Sequence, residues 1–355
     1  MSIKVDIKKK YKGFTLESSF STDDGTLALL GASGSGKSLT LKCIAGLISP
    51  DEGRIEVDGR VLFDSASRID LKPQQRGIGY LFQNYALFPN MTVRKNIEVA
   101  YRVGLQTEGN QEGRDDEIEG LLTRYQINAL ADRYPVQLSG GEQQRVALAR
   151  IFACKPRALL LDEPFSALDT FLRESMQADL KRIIREYSGS VVLVTHSRDE
   201  AYKIADELVI LDKGIPAAAG SVEEVFRNPG NVRAARITGC KNLSAIEKTG
   251  ERKFFAKDWG IELETAEPIG DNHQYAGIRA HDLKPAIENA VNTFDITFVD
   301  EIDGPFDKDL IVRAEGKNSD GTENKDLWWI ADLKEEVNGV KSLSVAPEAI
   351  LLLEE

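Results

Sequence analysis

The stretch Thr26-Leu27-Ala28-Leu29-Leu30-Gly31-Ala32-Ser33-Gly34-Ser35-Gly36-Lys37-Ser38-Leu39-Thr40-Leu41-Lys42-Cys43-Ile44-Ala45 decides the fold. An apolar run reads as a buried strand, the three glycines after it as a tight loop, and the segment from Leu39 as a helix. In that order the three pieces form a phosphate cradle. The glycines let the backbone curl so that several N–H groups point inward, and the helix N-terminus adds a positive dipole end. Lys37 reaches the terminal phosphates and the Ser38 hydroxyl can ligate Mg2+. Gly31, Ala32, Ser33, Gly34, Ser35, Gly36, Lys37, Ser38 and Leu39 are therefore the candidate residues for binding a nucleoside triphosphate.

Working outward, 355 residues suggest about two domains. Up to about residue 235, short apolar runs alternate with longer helical patterns, which predicts an α/β domain with a largely parallel sheet. The strongest strands are 27–30, 158–161, 191–195 and 208–211. The first three end in polar residues, at the sheet edge where α/β proteins bind ligands. The polar, acidic segment 106–117 reads as an exposed loop within a helical insertion. Beyond about 235, short runs such as 275–279 and 293–299 separated by Gly, Asp and Asn predict a small, mostly β domain.

No apolar stretch approaches the roughly 20 residues that cross a bilayer, and the first residues lack the apolar block of a signal peptide. The expected location is cytoplasmic. The isolated Cys43, Cys154 and Cys240 suggest neither a disulfide framework nor a cysteine metal site. A formal charge of -12 argues against nucleic acid as a partner. Lys8, Lys9, Lys10 and Lys12 form a short basic patch that reads as a solvated strand end.

A second phosphate-handling element is Leu159-Leu160-Leu161-Asp162-Glu163-Pro164, a buried strand ending in two carboxylates. Such a pair is costly unless it faces a cation or a reacting water. Asp162 suits the magnesium shell, and Glu163 suits polarising the attacking water. A third is Leu138-Ser139-Gly140-Gly141-Glu142-Gln143, a turn that opens an amphipathic helix. Taken alone it could be an ordinary helix cap, yet it also makes a second anion site. One triphosphate rarely needs two, so the economical reading is that this site completes the pocket of a second copy, with two ATP molecules held between two chains.

Together these residues resemble the ATP-binding subunits of ABC transporters. The glycine-rich loop resembles the family's Walker A, Leu138 to Gln143 its signature, and Leu159 to Glu163 its Walker B. Gln83 in Tyr80-Leu81-Phe82-Gln83-Asn84 is similar to the Q-loop, Ser166-Ala167-Leu168-Asp169 to the D-loop, and His196 in Thr195-His196-Ser197 to the switch histidine. The resemblance spans about 1–235 and implies a P-loop ATPase domain with a helical subdomain at about 86–155. It implies ATP and Mg2+ as ligands. Glu163, His196 and Gln83 would be catalytic, Ser38, Gln83 and Asp162 would hold the metal, and Ser139, Gly140, Gly141, Glu142 and Asp169 would contact nucleotide. Two features depart from the pattern. Glu142 stands where many members have Gln, and both Tyr11 and Phe14 are candidates to stack on adenine, with Tyr11 preferred.

The resemblance also implies transmembrane permease subunits on separate chains, an extracytoplasmic substrate-binding protein, and a peripheral position on the cytoplasmic face of the membrane. Asn242-Leu243-Ser244 and Gly277-Ile278-Arg279-Ala280-His281-Asp282-Leu283 resemble the TOBE/MOP-like accessory domain of importers for oxyanions, sugars and polyamines, which assigns 236–355 to a barrel-like accessory domain. The chain looks most like the sulfate/molybdate branch, its molybdate importers in particular. Other importer substrates, such as sugars, polyamines or iron, stay open. An ATPase of DNA maintenance would insert a long coiled coil between Lys37 and Ser139, and translation factors generally carry two cassettes.

Overall fold

Alternate residues of the apolar strands face opposite ways, and that period-2 arrangement sorts the first half of the protein into layers. In the computed structural model, which describes residues 2–23, 25–108, 114–166, 168, 170–316, 323–333, 337 and 339–355, the strands Thr26–Leu30, Ala158–Asp162, Ser190–Thr195 and Glu207–Asp212 belong to one six-stranded sheet. Its order is Ile215–Ser221, Glu207–Asp212, Thr26–Leu30, Ser190–Thr195, Ala158–Asp162, Ile78–Leu81, parallel throughout except for the antiparallel edge strand Ile215–Ser221.

Leu159, Leu161, Val191 and Leu193 pack with Ile97, Tyr101, Ile118, Leu122, Val146 and Leu180, which come from the helical side. Ala158, Leu160, Val192 and Val194 instead pack with Ile3, Val5, Leu16 and Ile55 of a second, antiparallel sheet and with Leu41 and Ile44 of the helix Lys37–Ala45. A sheet covered on both faces needs strands apolar on both sides, which is why Ala158–Asp162 and Ser190–Thr195 are buried along their whole length.

The antiparallel sheet runs Phe14–Asp23, Ser2–Tyr11, Glu52–Val57, Arg60–Asp64, Ile69–Asp70. Its basic corner is neutralised locally: Lys8 pairs with Glu17, Lys9 with Asp51 and Lys10 with Glu52. Helices Val93–Glu108, Arg114–Arg124 and Gly140–Phe152 lie in the insertion, and Asp115, Asp116 and Glu117 favour the first turn of the second through its dipole. The middle of the acidic segment, 109–113, lies outside the described residues.

The chain divides into compact units Met1–Val222 and Glu223–Glu355. The division falls ahead of the 235 suggested by sequence texture, because the short helix Val232–Ile237 packs into the second unit. Val232 and Ala235 cluster with Cys240 and Leu353, and the Val232 amide donates to the Glu354 carbonyl at 3.0 Å. Among the described residues that unit holds two five-stranded sheets. One is ordered Ile261–Glu264, Lys253–Ala256, Asn242–Lys248, Tyr275–Ile278, Ile350–Leu353, and the other Lys284–Pro285, Ser342–Ser344, Thr293–Asp303, Asp307–Ala314, Leu327–Asp332. They share one core, with Phe254, Trp259 and Ile278 meeting Phe294, Leu310, Val312 and Trp329. Among the described residues no helix is long and apolar enough to cross a membrane.

Candidate functional site

The carboxyl ends of the parallel strands carry the polar residues, and the loop after Thr26–Leu30 is shaped by what its glycines leave out. A Cβ on Gly31 would sit 2.2 Å from the Leu211 carbonyl oxygen and 2.7 Å from Ser35 Oγ, so the loop hugs the neighbouring strand only because residue 31 is glycine. Gly36, at φ 102°, is the N-cap of the Lys37–Ala45 helix in a left-handed conformation that favours glycine, and no side chain caps this end. The first-turn amides are thus left for an anion.

Lys37 is 4% exposed, and its Nζ donates to the carbonyls of Gly31 at 2.8 Å and Ala32 at 2.9 Å. An ammonium has three donors, so one stays available to a phosphate oxygen. Burial pushes the Lys37 pKa below its usual value, while the Glu163 and Asp162 carboxylates oppose that shift. The group is a desolvated cation facing two acids.

Ser38 Oγ donates to Asp162 Oδ1 at 2.7 Å, joining the first helix to the end of strand Ala158–Asp162. Tyr80, on strand Ile78–Leu81, donates its hydroxyl to Asp162 Oδ2, also at 2.7 Å. The phenol pKa is raised, first by burial and then by the bond to Asp162. Glu163 follows at φ 47°, with its amide donating to the Val194 carbonyl at 3.0 Å. That left-handed step turns its carboxylate toward His196, whose Nδ1 lies 3.4 Å from Glu163 Oε2. His196 is held by its neighbours: the Ser197 amide and Glu200 both bond to Thr195 Oγ1, and Ser197 Oγ accepts from the Glu200 amide. Glu200 is 6% exposed.

The cradle's own atoms suit a nucleotide and a cation. Among the described residues Ser35 Oγ is buried without a partner and nothing crowds Gly34, and the Ser38 hydroxyl with the Asp162 carboxylate offers the hard oxygen donors that Mg2+ prefers. The residues fit both groups.

Ser139 caps the helix Gly140–Phe152 in a full capping box. Its Oγ accepts from the Glu142 amide at 3.4 Å, while Glu142 Oε2 accepts from the Ser139 amide at 2.7 Å and from Ser139 Oγ at 2.9 Å. This gives Glu142 a physical role: its carboxylate closes the box, and the Ser139 amide lowers its pKa more than any other partner does. Gly141 has Met176 Sδ 3.3 Å from where its Cβ would be. Ser139 is exposed at the helix N-terminus.

Gln83 stands exposed just beyond the end of strand Ile78–Leu81. After it, Tyr85 and Ala86 take left-handed φ values of 58° and 46°. Arg150, in the last turns of Gly140–Phe152, clamps this pair by donating to the carbonyls of Ala86 at 2.6 Å and Tyr85 at 3.0 Å. Asp169 lies outside the described residues. Tyr11 is 48% exposed at the end of its strand, with Lys9 Nζ 5.7 Å from its ring centre. Phe14, opposite it in the hairpin, reaches the cradle: its Cζ lies 3.3 Å from a Cβ built on Gly36.

Sequence reading missed Tyr80, Arg150 and Glu200. A tyrosine in a half-buried strand was the available signal, since a phenol hydroxyl taken out of water usually finds a partner. Arg150 and Glu200 gave no comparable signal, because their partners are backbone carbonyls and a hydroxyl that only the fold brings near.

The family model described as ABC transporter matches residues 17–166. The molybdenum import ATP-binding protein ModC of Paramagnetospirillum magneticum is 41% identical over 226 residues, covering 64% of this chain and 61% of that one. The sulfate/thiosulfate import ATP-binding protein CysA of Pseudomonas syringae pv. tomato is 38% identical over 290 residues, covering 80% of this chain and 85% of that one. A solved dimeric structure of the ATP-binding cassette MJ0796, in a post-hydrolysis state bound to ADP and Pi, superposes with a TM-score of 0.52 at 28% identity, covering 62% of this chain and 99% of that one. The chain belongs to the ATP-binding subunits of the ABC transporter family.

Proposed function

We propose that the chain is the ATP-hydrolysing subunit of an importer for a tetrahedral oxyanion, molybdate or sulfate being the leading candidates. Two copies would close on two ATP molecules and pass that motion to separate membrane-spanning permease subunits from the cytoplasmic face, fed by an extracytoplasmic binding protein. The observation that carries the oxyanion reading is the CysA match, which at 80% of the chain extends beyond the first unit into the second. Likeness confined to the ATPase unit would not single out a substrate class.

In this reading the backbone of residues 31–36 cradles the phosphates, and Lys37 binds the terminal ones through its remaining donor. Ser38, Asp162 and Gln83 would hold Mg2+, which when bound neutralises charge on the phosphate oxygens. Glu163 accepts the proton of the attacking water, and His196, in contact with Glu163, keeps that carboxylate in register with the terminal phosphate. Ser139, Gly140, Gly141, Glu142 and Asp169 would contact the partner copy's nucleotide. Tyr11 or Phe14 stacks on adenine. The proximity of Phe14 to Gly36 favours Phe14, whereas Tyr11 is exposed with Lys9 over its ring. The first unit, Met1–Val222, would act as the ATPase domain and the second, Glu223–Glu355, as the accessory domain.

The test is uptake of labelled molybdate, tungstate and sulfate by cells in which the gene is deleted and then restored. Loss of uptake of one anion, recovered on restoration, is expected. Unchanged uptake of all three would remove the oxyanion assignment.

A further inference from the structure

Asp162 is gripped from two sides by residues of two different elements. It is 7% exposed, Ser38 donates to Oδ1, and Tyr80 donates to Oδ2, each at 2.7 Å. A carboxylate on a strand end turns easily about its last torsion, which is broad and roughly two-fold. Two donors on opposite oxygens remove that freedom. They are not equivalent, because Ser38 belongs to the phosphate cradle and its hydroxyl has a second task as a cation ligand.

Tyr80 is suited to be the fixed donor. It sits on the parallel strand beside Asp162, in register with Leu160, so its Cα position is set by the sheet. Its ring packs on Phe82 with centroids 4.4 Å apart and planes at 41°, which restrains the side chain that delivers the hydroxyl. A hydrogen bond to an ionised carboxylate is short and roughly twice as strong as a neutral one. With Tyr80 on Oδ2, Oδ1 is the oxygen directed at Ser38.

We propose that Tyr80 is a positioning residue for the magnesium site: its hydroxyl locks Asp162 so that Oδ1 faces the cation held with Ser38. It touches neither nucleotide nor metal and acts only through Asp162. The proposal rests on the assignment of Asp162 to the magnesium shell made above.

The test uses the full-length chain and the variant Tyr80→Phe, which keeps the ring against Phe82 and removes only the hydroxyl. Binding of a fluorescent ATP analogue is titrated with Mg2+, and in EDTA without it. The Mg2+ concentration for half-maximal binding is expected to rise about tenfold, the low end of what one lost hydrogen bond to a carboxylate can cost, while affinity in EDTA stays within about twofold. Steady-state hydrolysis should show the same displaced Mg2+ dependence. Phe82→Leu, which spares the hydroxyl but loosens the ring that carries it, should move the midpoint in the same direction by a smaller factor than Tyr80→Phe. If Tyr80→Phe lowers the melting temperature but not the Mg2+ dependence, the hydroxyl is merely satisfying a buried acid and the proposal is overturned. Asp162→Asn separates the two levels. A midpoint moved by Asp162→Asn and not by Tyr80→Phe sinks only the Tyr80 role, whereas one moved by neither sinks the magnesium assignment with it.

Discussion

Replacing Arg76 with Met should loosen the helix that carries Lys37 from its far end. Arg76 is 1% exposed, and its guanidinium donates to four acceptors at 2.8 Å each: the carbonyls of Leu71, Cys43 and Ile44, and the Asp70 carboxylate. Cys43 and Ile44 close the Lys37–Ala45 helix, so the cation also sits at the negative end of its dipole. Met fills the volume of the stem and removes all four bonds. The Cys43 carbonyl keeps the Gly46 amide at 3.1 Å, and Asp70, 43% exposed, returns to water. The Ile44 and Leu71 carbonyls lose a buried donor, each at a cost of about 1–3 kcal/mol. Relief of the desolvated guanidinium offsets part of that, leaving a net loss of about 3 kcal/mol. For a unit of this size such a loss lowers the melting temperature by about 6–12 °C. Differential scanning calorimetry of the full chain, following the transition of the first unit, measures it. A shift below about 2 °C would refute the idea that this buried cation anchors the helix.

Other outcomes are accessible to simple assays. Glu163→Gln should reduce phosphate release by about 10²–10⁴-fold, the usual worth of a positioned base, while nucleotide affinity stays within about threefold; undiminished turnover would take Glu163 out of that role. The Cys43 and Cys240 thiols are buried, with pKa values pushed up to about 11 by that burial. An aromatic disulfide reagent at about pH 8 should therefore label at most Cys154 quickly in the native protein and all three after denaturation. Rapid reaction of two or more native thiols would contradict the packing around them.

The parallel sheet was legible in the sequence because a strand covered on both faces must be apolar along its length, as 158–161 and 191–195 are. The motifs were legible for a related reason: a glycine-rich loop, two acids at a strand end and a Ser-Gly-Gly turn are each contiguous. What escaped was lateral. Tyr80 meets Asp162 through strand register, and Phe14 approaches Gly36 from another sheet, neither of which is encoded by spacing along the chain. In the second unit the short strands announced β structure but not their order. Tyr275–Ile278 pairs with both Asn242–Lys248 and Ile350–Leu353, and no local pattern ties residues so distant. The boundary moved for the same reason, since Val232–Ile237 finds its apolar partner at Leu353.

The Arg150 clamp gives the helix Gly140–Phe152 two working ends. As a rod of 13 residues it spans about 20 Å. Ser139 opens it, and near the other end the guanidinium grips the backbone of Tyr85 and Ala86. A tilt that brings Ser139 toward an anion must drag that turn along or break two hydrogen bonds. The helix is thus tied to the stretch behind Gln83 at the main chain itself, through the carbonyls of Tyr85 and Ala86.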